Sequence, residues 1–169
     1  LPDVGPVRAR NLLEVFSTPE QIFNAREKEL VSVEGIGANR AKHIRAFKAW
    51  DEVRKQMELM ESKKMRAVHI GESVYPEMLT ETADPPVVLY VRGDPQPQDR
   101  YAVGIVGSRR PSPYGISVAE KLSEDLASMG FTVVSGMARG IDSLSHNGAL
   151  KTGGRTIAVL GSGIDIPYP

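Results

Sequence analysis

The residues best suited to chemistry fall in two short runs. They are Val103-Gly104-Ile105-Val106-Gly107-Ser108-Arg109-Arg110 and Ser135-Gly136-Met137-Ala138-Arg139-Gly140-Ile141-Asp142. Their chemistry is anion capture. Gly107, Gly136 and Gly140 let the backbone approach a ligand with no Cβ in the way. Ser108 and Ser135 offer hydroxyls, while Arg109, Arg110 and Arg139 offer planar guanidinium forks that match a phosphate. A third run, Gly161-Ser162-Gly163, repeats the small residues without an arginine. No acid lies between Tyr101 and Ala119 or between Ser143 and Ile164, so the loops are locally positive.

Other chemistries fit less well. A dinucleotide fingerprint would read G-x-G-x-x-G, but the glycines here are Gly104, Gly107 and then Gly115. Ser135-Gly136 stands where a ribose-binding acid would follow the second strand. No G-x-x-x-x-G-K-[ST] run occurs, which excludes a P-loop. His43, His69 and His146 lie in unrelated segments without metal-ligand spacing, and no cysteine is present. Asp142 is placed to cap a helix beginning at 143. Neither serine has an evident base, so no catalytic residue, metal or cofactor is expected.

The elements that must hold these loops can be read from periodicity. Apolar runs at 65–70, 87–92, 102–106, 132–135 and 156–160 are rich in Val and Ile and bounded by Gly or Pro, as strands are. Val118, Leu122, Leu126 and Met129 form a helical stripe that Gly130 ends, and a shorter helix covers 144–150. Strand, helix, strand, helix, strand means right-handed crossovers and a parallel sheet. Ligands bind such sheets at the C-terminal strand ends, where all three glycine turns lie. The runs at 65–70 and 87–92 are expected as extra strands on that same sheet.

Residues 1–64 differ in character, with 12 Lys+Arg, 10 Asp+Glu and mostly helix formers. Glu34-Gly35-Ile36-Gly37-Ala38-Asn39-Arg40-Ala41 matches a helix-hairpin-helix turn, with Arg40, Lys42, Arg45 and Lys48 on the following helix. Gly35, Gly37, Arg40 and Lys42 are therefore candidates for a secondary phosphate contact. A plain helix turn with a solvated basic face fits equally well. Pro2-Asp3-Val4-Gly5-Pro6-Val7-Arg8-Ala9 is a weaker copy in which Asp3 replaces the first glycine. It is expected to pack the pair together. Ala46, Trp50, Val53, Met57 and Met60 are expected as a buried helix face.

Val106-Gly107-Ser108-Arg109, Ser112, Tyr114-Gly115 and the whole 135–142 run with His146 and Ala149-Leu150 resemble the DprA (Smf) family, DNA-processing proteins of natural transformation. Tyr75-Pro76-Glu77-Met78-Leu79, Asp84–Asp94, Gly161–Asp165 and Tyr168-Pro169 extend the resemblance. Ser145 departs from it, since the family usually has Ala before the histidine. The resemblance implies a non-catalytic protein that binds single-stranded DNA, protects incoming strands, helps load the RecA recombinase and forms a homodimer. It places Gly107, Ser108, Arg109, Ser135, Gly136, Arg139 and Gly140 in the basic pocket. Phosphoribohydrolases of similar shape are the alternative, but their Pro-Gly-Gly-x-Gly-Thr segment and glutamate do not occur in these residues. A protein-interaction module is a third reading.

The expected fold is therefore α/β, a Rossmann-like parallel sheet with extra N-terminal strands (65–169) preceded by a small all-α, SAM-like helix-hairpin-helix domain (1–64). The 169 residues carry 21 Lys+Arg against 21 Asp+Glu, which argues against a uniformly basic coat. No apolar run reaches a membrane span, and the lack of cysteine fits a reducing cytoplasm. Opening on Leu1 and closing on Tyr168-Pro169, the sequence reads as part of a longer chain.

Overall fold

The computed structural model describes Leu1 and residues 3–166; Pro2 and residues 167–169, including the Tyr168-Pro169 pair, lie outside the described residues. Chain contacts divide the protein into two compact units, Leu1–Val91 and Arg92–Pro169.

The first unit opens with α1 (Pro6–Phe16), α2 (Pro19–Asn24), α3 (Glu27–Val31), α4 (Ala38–Arg45) and α5 (Trp50–Ser62). Leu12, Ile22, Leu30, Val33, Ile36, Ala41 and Ile44 form its core. Proline sets the first turn of α1 and α2, and Thr18 caps α2 by accepting the Gln21 amide at 3.3 Å. The internal duplication is visible in the backbone. Asp3 (φ 60) and Gly35 (φ 78) both hold left-handed conformations at equivalent places before a helix. Asp tolerates that region better than most residues, which is how it stands in for glycine.

The α5 stripe is not buried. No residue of α5 is buried, and Trp50, Val53 and Met57 are exposed, contrary to the sequence expectation. Trp50 instead packs edge-on against Phe23 and Phe47, with ring centroids 4.9 and 4.8 Å apart.

After α5 come β1 (Met65–His69), α6 (Glu77–Thr80) and β2 (Val88–Arg92). These are the extra strands, but they pair with each other in a sheet of their own and do not extend the parallel sheet. Their anchoring explains this. The Tyr75 hydroxyl donates to the Pro86 carbonyl at 2.7 Å. Arg10 of α1 donates to the Pro85 carbonyl at 3.1 Å and pairs with Asp84 at 2.7 Å. The approach to β2 is thus tied to the helices of the first unit, which ends at Val91.

The second unit contains β3 (Ala102–Gly104), α7 (Pro113–Ser128), β4 (Thr132–Ser135), α8 (Ile141–Lys151) and β5 (Thr156–Ala158). The three strands are parallel in the order β3-β4-β5, with Val103 beside Val133 and Val134 beside Ile157. Ile105, Ala127, Val133 and Ala149 form the core. Ser112 caps α7, accepting the Gly115 amide at 3.2 Å, and Gly130 (φ 89) ends it, as expected.

The face that α7 buries takes in only one member of the apolar stripe. Ala119, Ser123 and Ala127 are buried and Leu126 packs half-buried against the core, while Val118, Leu122 and Met129 are exposed. Small residues win here because the two helices sit unusually close. A Cβ at Gly148 would lie 2.7 Å from the Glu120 carbonyl oxygen. A large side chain facing Gly148 would not fit that seam, and Val118, Leu122 and Met129 remain exposed.

At the N-terminal strand ends, Asp99 holds the layer together. It binds Arg155 (Nη2–Oδ2 2.8 Å), accepts the Gln96 amide at 2.8 Å and accepts the Thr132 hydroxyl at 3.1 Å. Burial alone would raise this carboxyl, but the hydrogen bonds from Arg155, Gln96 and Thr132 outweigh it and hold it below the usual carboxylate range.

Candidate functional site: two interlocked glycine loops at one sheet edge

Both candidate loops follow strands that lie side by side in parallel, so β3 and β4 deliver them to the same edge. The loops then lock onto each other. The Ile141 amide donates to the Ser108 carbonyl at 3.1 Å. Gly140 (φ 83) lies so close that a Cβ there would collide with the Ser108 carbonyl oxygen and sit 2.8 Å from the Arg109 backbone. Gly107 is needed for a related reason, since its Cβ would meet the Ile141 side chain at 2.7 Å. Ile141 also lies 3.7 Å from where a Gly115 Cβ would be, so it wedges between the first loop and the start of α7. Glycine therefore serves loop-to-loop packing at these positions, and that packing in turn fixes where the arginines start.

The serines are partly committed to structure. Ser108 accepts the Arg110 amide at 3.1 Å through its hydroxyl oxygen, which shapes the turn and leaves its proton to donate outward. Ser135 is 2 % exposed and donates to the Ile105 carbonyl at 2.6 Å, joining β4 to β3. Its hydroxyl proton is spent within the sheet. Arg109, Arg110 and Arg139 are exposed, and Gly136 is half-buried. A Cβ at Gly136 would lie 2.7 Å from the Asp142 carboxylate.

Asp142 departs from its expected place. The helix begins at Ile141, so Asp142 sits in the first turn and does not cap a helix from 143. It accepts the Ala138 amide at 3.4 Å and closes the second loop, while the Ser143 hydroxyl donates to the Ala138 carbonyl at 2.6 Å. Its charge also complements the helix N-terminus. His146, one turn later, donates through Nδ1 to Thr156 Oγ1 at 2.6 Å, because the Thr156 hydroxyl proton is given to the Val133 carbonyl at 2.8 Å. That leaves Nε2 as the unprotonated nitrogen, buried and without a hydrogen-bond partner. Burial pushes this imidazole below its ordinary value, and Asp142 only partly offsets the shift. His146 thus braces α8 on β5.

The secondary candidates group separately, in the first unit. Gly37 and the first residues of α4, with Arg40, His43 and Asp3, line a shallow depression. Arg40 is turned to packing: its Nε donates to the Asp3 carbonyl at 3.1 Å, and Arg8 donates to the same oxygen at 3.3 Å. The Arg8 side chain also lies against Gly35. Arg8 and Arg40 occupy equivalent places in the two hairpins and meet at one carbonyl, which ties the copies together. Lys42 is exposed on α4.

Ile141 and Ser112 carry roles that residue chemistry alone did not assign. The cap was legible, since Ser112 precedes a proline at a helix start; the wedge was not, because Ile141 reads as an ordinary apolar residue.

The comparisons with known proteins agree with this geometry. The family model for DNA recombination-mediator protein A matches residues 66–169, and that for a SAM-like helix-hairpin-helix tandem matches residues 1–47. Protein Smf of Synechocystis is 36% identical over 170 residues, covering 98% of this chain and 43% of its own. The DNA processing protein DprA of Bacillus subtilis is 38% identical over 106 residues, covering 62% and 36%. The chain thus spans less than half the length of these curated relatives. The X-ray structure of DprA from Streptococcus pneumoniae superposes with a TM-score of 0.72 at 29% identity, covering 95% of this chain and 54% of that one. That of Helicobacter pylori DprA, described for its single-stranded DNA binding mode, gives 0.54 at 32% identity over 63% of this chain and 46% of that one. By its matched residues and by the paired loops at its sheet edge, the chain belongs to the DNA recombination-mediator protein A (DprA/Smf) family.

Proposed function

We propose that this chain carries part of a single-stranded DNA-binding surface, used in processing DNA during transformation. The observation that carries the reading is the interlock of two arginine-bearing loops at one edge of a parallel sheet. Arg109 is the main phosphate contact, with Arg110, Arg139, the Ser108 hydroxyl and the turns around Gly107, Gly136 and Gly140 in support. The Ser135 hydroxyl works from within, by joining the two strands. Phosphate contacts position a strand without reading its sequence, so binding is sequence-tolerant. The single-stranded DNA binding described for the Helicobacter pylori protein supports the same substrate class here.

The role is binding without catalysis. Ser135 and Asp142 are already engaged with backbone groups, and the His146 Nδ1 proton is held by Thr156. The finer reading includes protection of incoming strands, loading of RecA, a homodimer in the whole protein and a cytoplasmic setting. Among the described residues no helix is long and apolar enough to cross a membrane. A functional division near 64/65 is supported by the two family models, one matching residues 1–47 and the other beginning at residue 66. Arg40 and Lys42 form at most an accessory contact, since Arg40 is engaged in joining the hairpins.

The test is fluorescence anisotropy of a labelled oligonucleotide with the intact protein. Arg109→Ala is expected to weaken binding about tenfold, as loss of one charge-assisted contact does. Unchanged affinity, or a clear preference for duplex, would overturn this reading.

A further inference from the structure

Tyr114 has no role in the interlock or the core, yet it is the most exposed of the large apolar side chains described, at 79%. Its position in α7 explains why. The buried face runs through Ala119, Ser123 and Ala127, and one turn earlier through Gly115, which abuts Ile141. Tyr114 is about 100° around the helix from Gly115, off that face. Tyr114 is the second residue of α7, so its place in the chain directly follows the 108–112 loop. The same loop carries Arg109 and Arg110, and Val106, 75% exposed, lies just past β3.

We propose that Tyr114 is a stacking platform for a nucleobase of the strand whose phosphates the arginines hold. This rests on the single-stranded DNA reading above and adds a specific contact to it. An exposed aromatic residue four and five positions after two exposed arginines matches the two halves of a nucleotide: the guanidinium groups take the phosphate, and the ring takes the planar base. Charge favours that occupant, because no acid lies from Tyr101 to Ala119. Every base has a flat face, so stacking keeps binding sequence-tolerant while rejecting paired duplex, whose bases are already stacked.

The experiment compares the intact wild-type protein with Tyr114→Ala, Tyr114→Phe and Arg109→Ala, using a labelled oligonucleotide and an abasic strand of equal length at several salt concentrations. Tyr114→Ala is expected to weaken oligonucleotide binding between about fivefold and a hundredfold. Its salt dependence stays that of the wild type, because no charge is removed. Tyr114→Phe stays within about twofold, and on the abasic strand the alanine penalty disappears. Tyr114 is exposed, so the variants keep the wild-type fold, which circular dichroism checks. Wild-type binding with unchanged Tyr114→Ala affinity would overturn the stacking contact alone, as would an equal alanine penalty on the abasic strand. Failure of the wild type to bind the oligonucleotide would overturn both readings.

Discussion

Gly140 shows how a single residue holds two loops at once. Its φ of 83 lies where L side chains are strained, and a Cβ would strike the Ser108 and Arg109 backbone. Neither backbone atom can rotate aside. Gly140→Ala is therefore expected to cost about 2–3 kcal/mol, from left-handed strain plus overlap, read by denaturant unfolding. Oligonucleotide affinity should fall with it, because the Arg109 backbone is what moves. His146 makes a pH-dependent contribution of definite sign. Its folded value lies below the ordinary 6.5, so the unfolded chain binds the proton more readily. The stabilisation from neutral His146 is complete above pH 6.5 and is lost as pH falls below it toward the folded value. His146→Gln should flatten the stability profile in that window, which thermal unfolding from pH 5 to pH 8 measures. The arginine and glycine types of this site were legible from their spacing. The commitment of Ser135 to the Ile105 carbonyl was not, because it depends on a residue 30 positions away.

Among the elements, the α7–α8 seam is built from small residues. Of the stripe Val118, Leu122, Leu126 and Met129, Leu126 packs half-buried against the core and the other three are exposed, while the buried residues of the two helices include Ala119, Ser123, Ala127, Ser145, Gly148 and Ala149. Apolar size in a sequence reports how much area a residue offers, and the spacing between helix axes decides which residues can be used. Gly148→Ala tests the balance. Helix propensity favours alanine by about 1 kcal/mol. The overlap with the Glu120 carbonyl, at 2.7 Å, opposes it by about 1–3 kcal/mol. A net loss of about 1 kcal/mol is expected in chemical denaturation, whereas Asn147→Ala on the exposed side of α8 should be neutral or slightly stabilising. The hairpin duplication was visible as two similar runs. The equivalence of Asp3 and Gly35 became plain only from their shared backbone conformation.

Over the whole molecule, zero net charge conceals a local positive edge. Bulk charge therefore predicts weak non-specific attraction, while the loop arginines predict a specific salt response. For single strands the logarithmic slope is about −0.7 per phosphate neutralised, so Arg109, Arg110 and Arg139 together give about −2. Arg109→Ala should reduce its magnitude by about 0.7 when affinity is followed across salt concentrations. From sequence alone came the α/β order, the strand and helix types, the paired hairpins and the arginine-bearing loops, because each is written in local spacing and composition. Tertiary structure decided that β1 and β2 pair apart from the parallel sheet, that small residues line the helix seam, and that the glycines serve loop-to-loop contact. Those outcomes depend on which distant groups come within a few ångströms, as Arg10 does with Pro85 and Ser108 with Ile141. Local pattern cannot encode that distance; only the packed chain sets it.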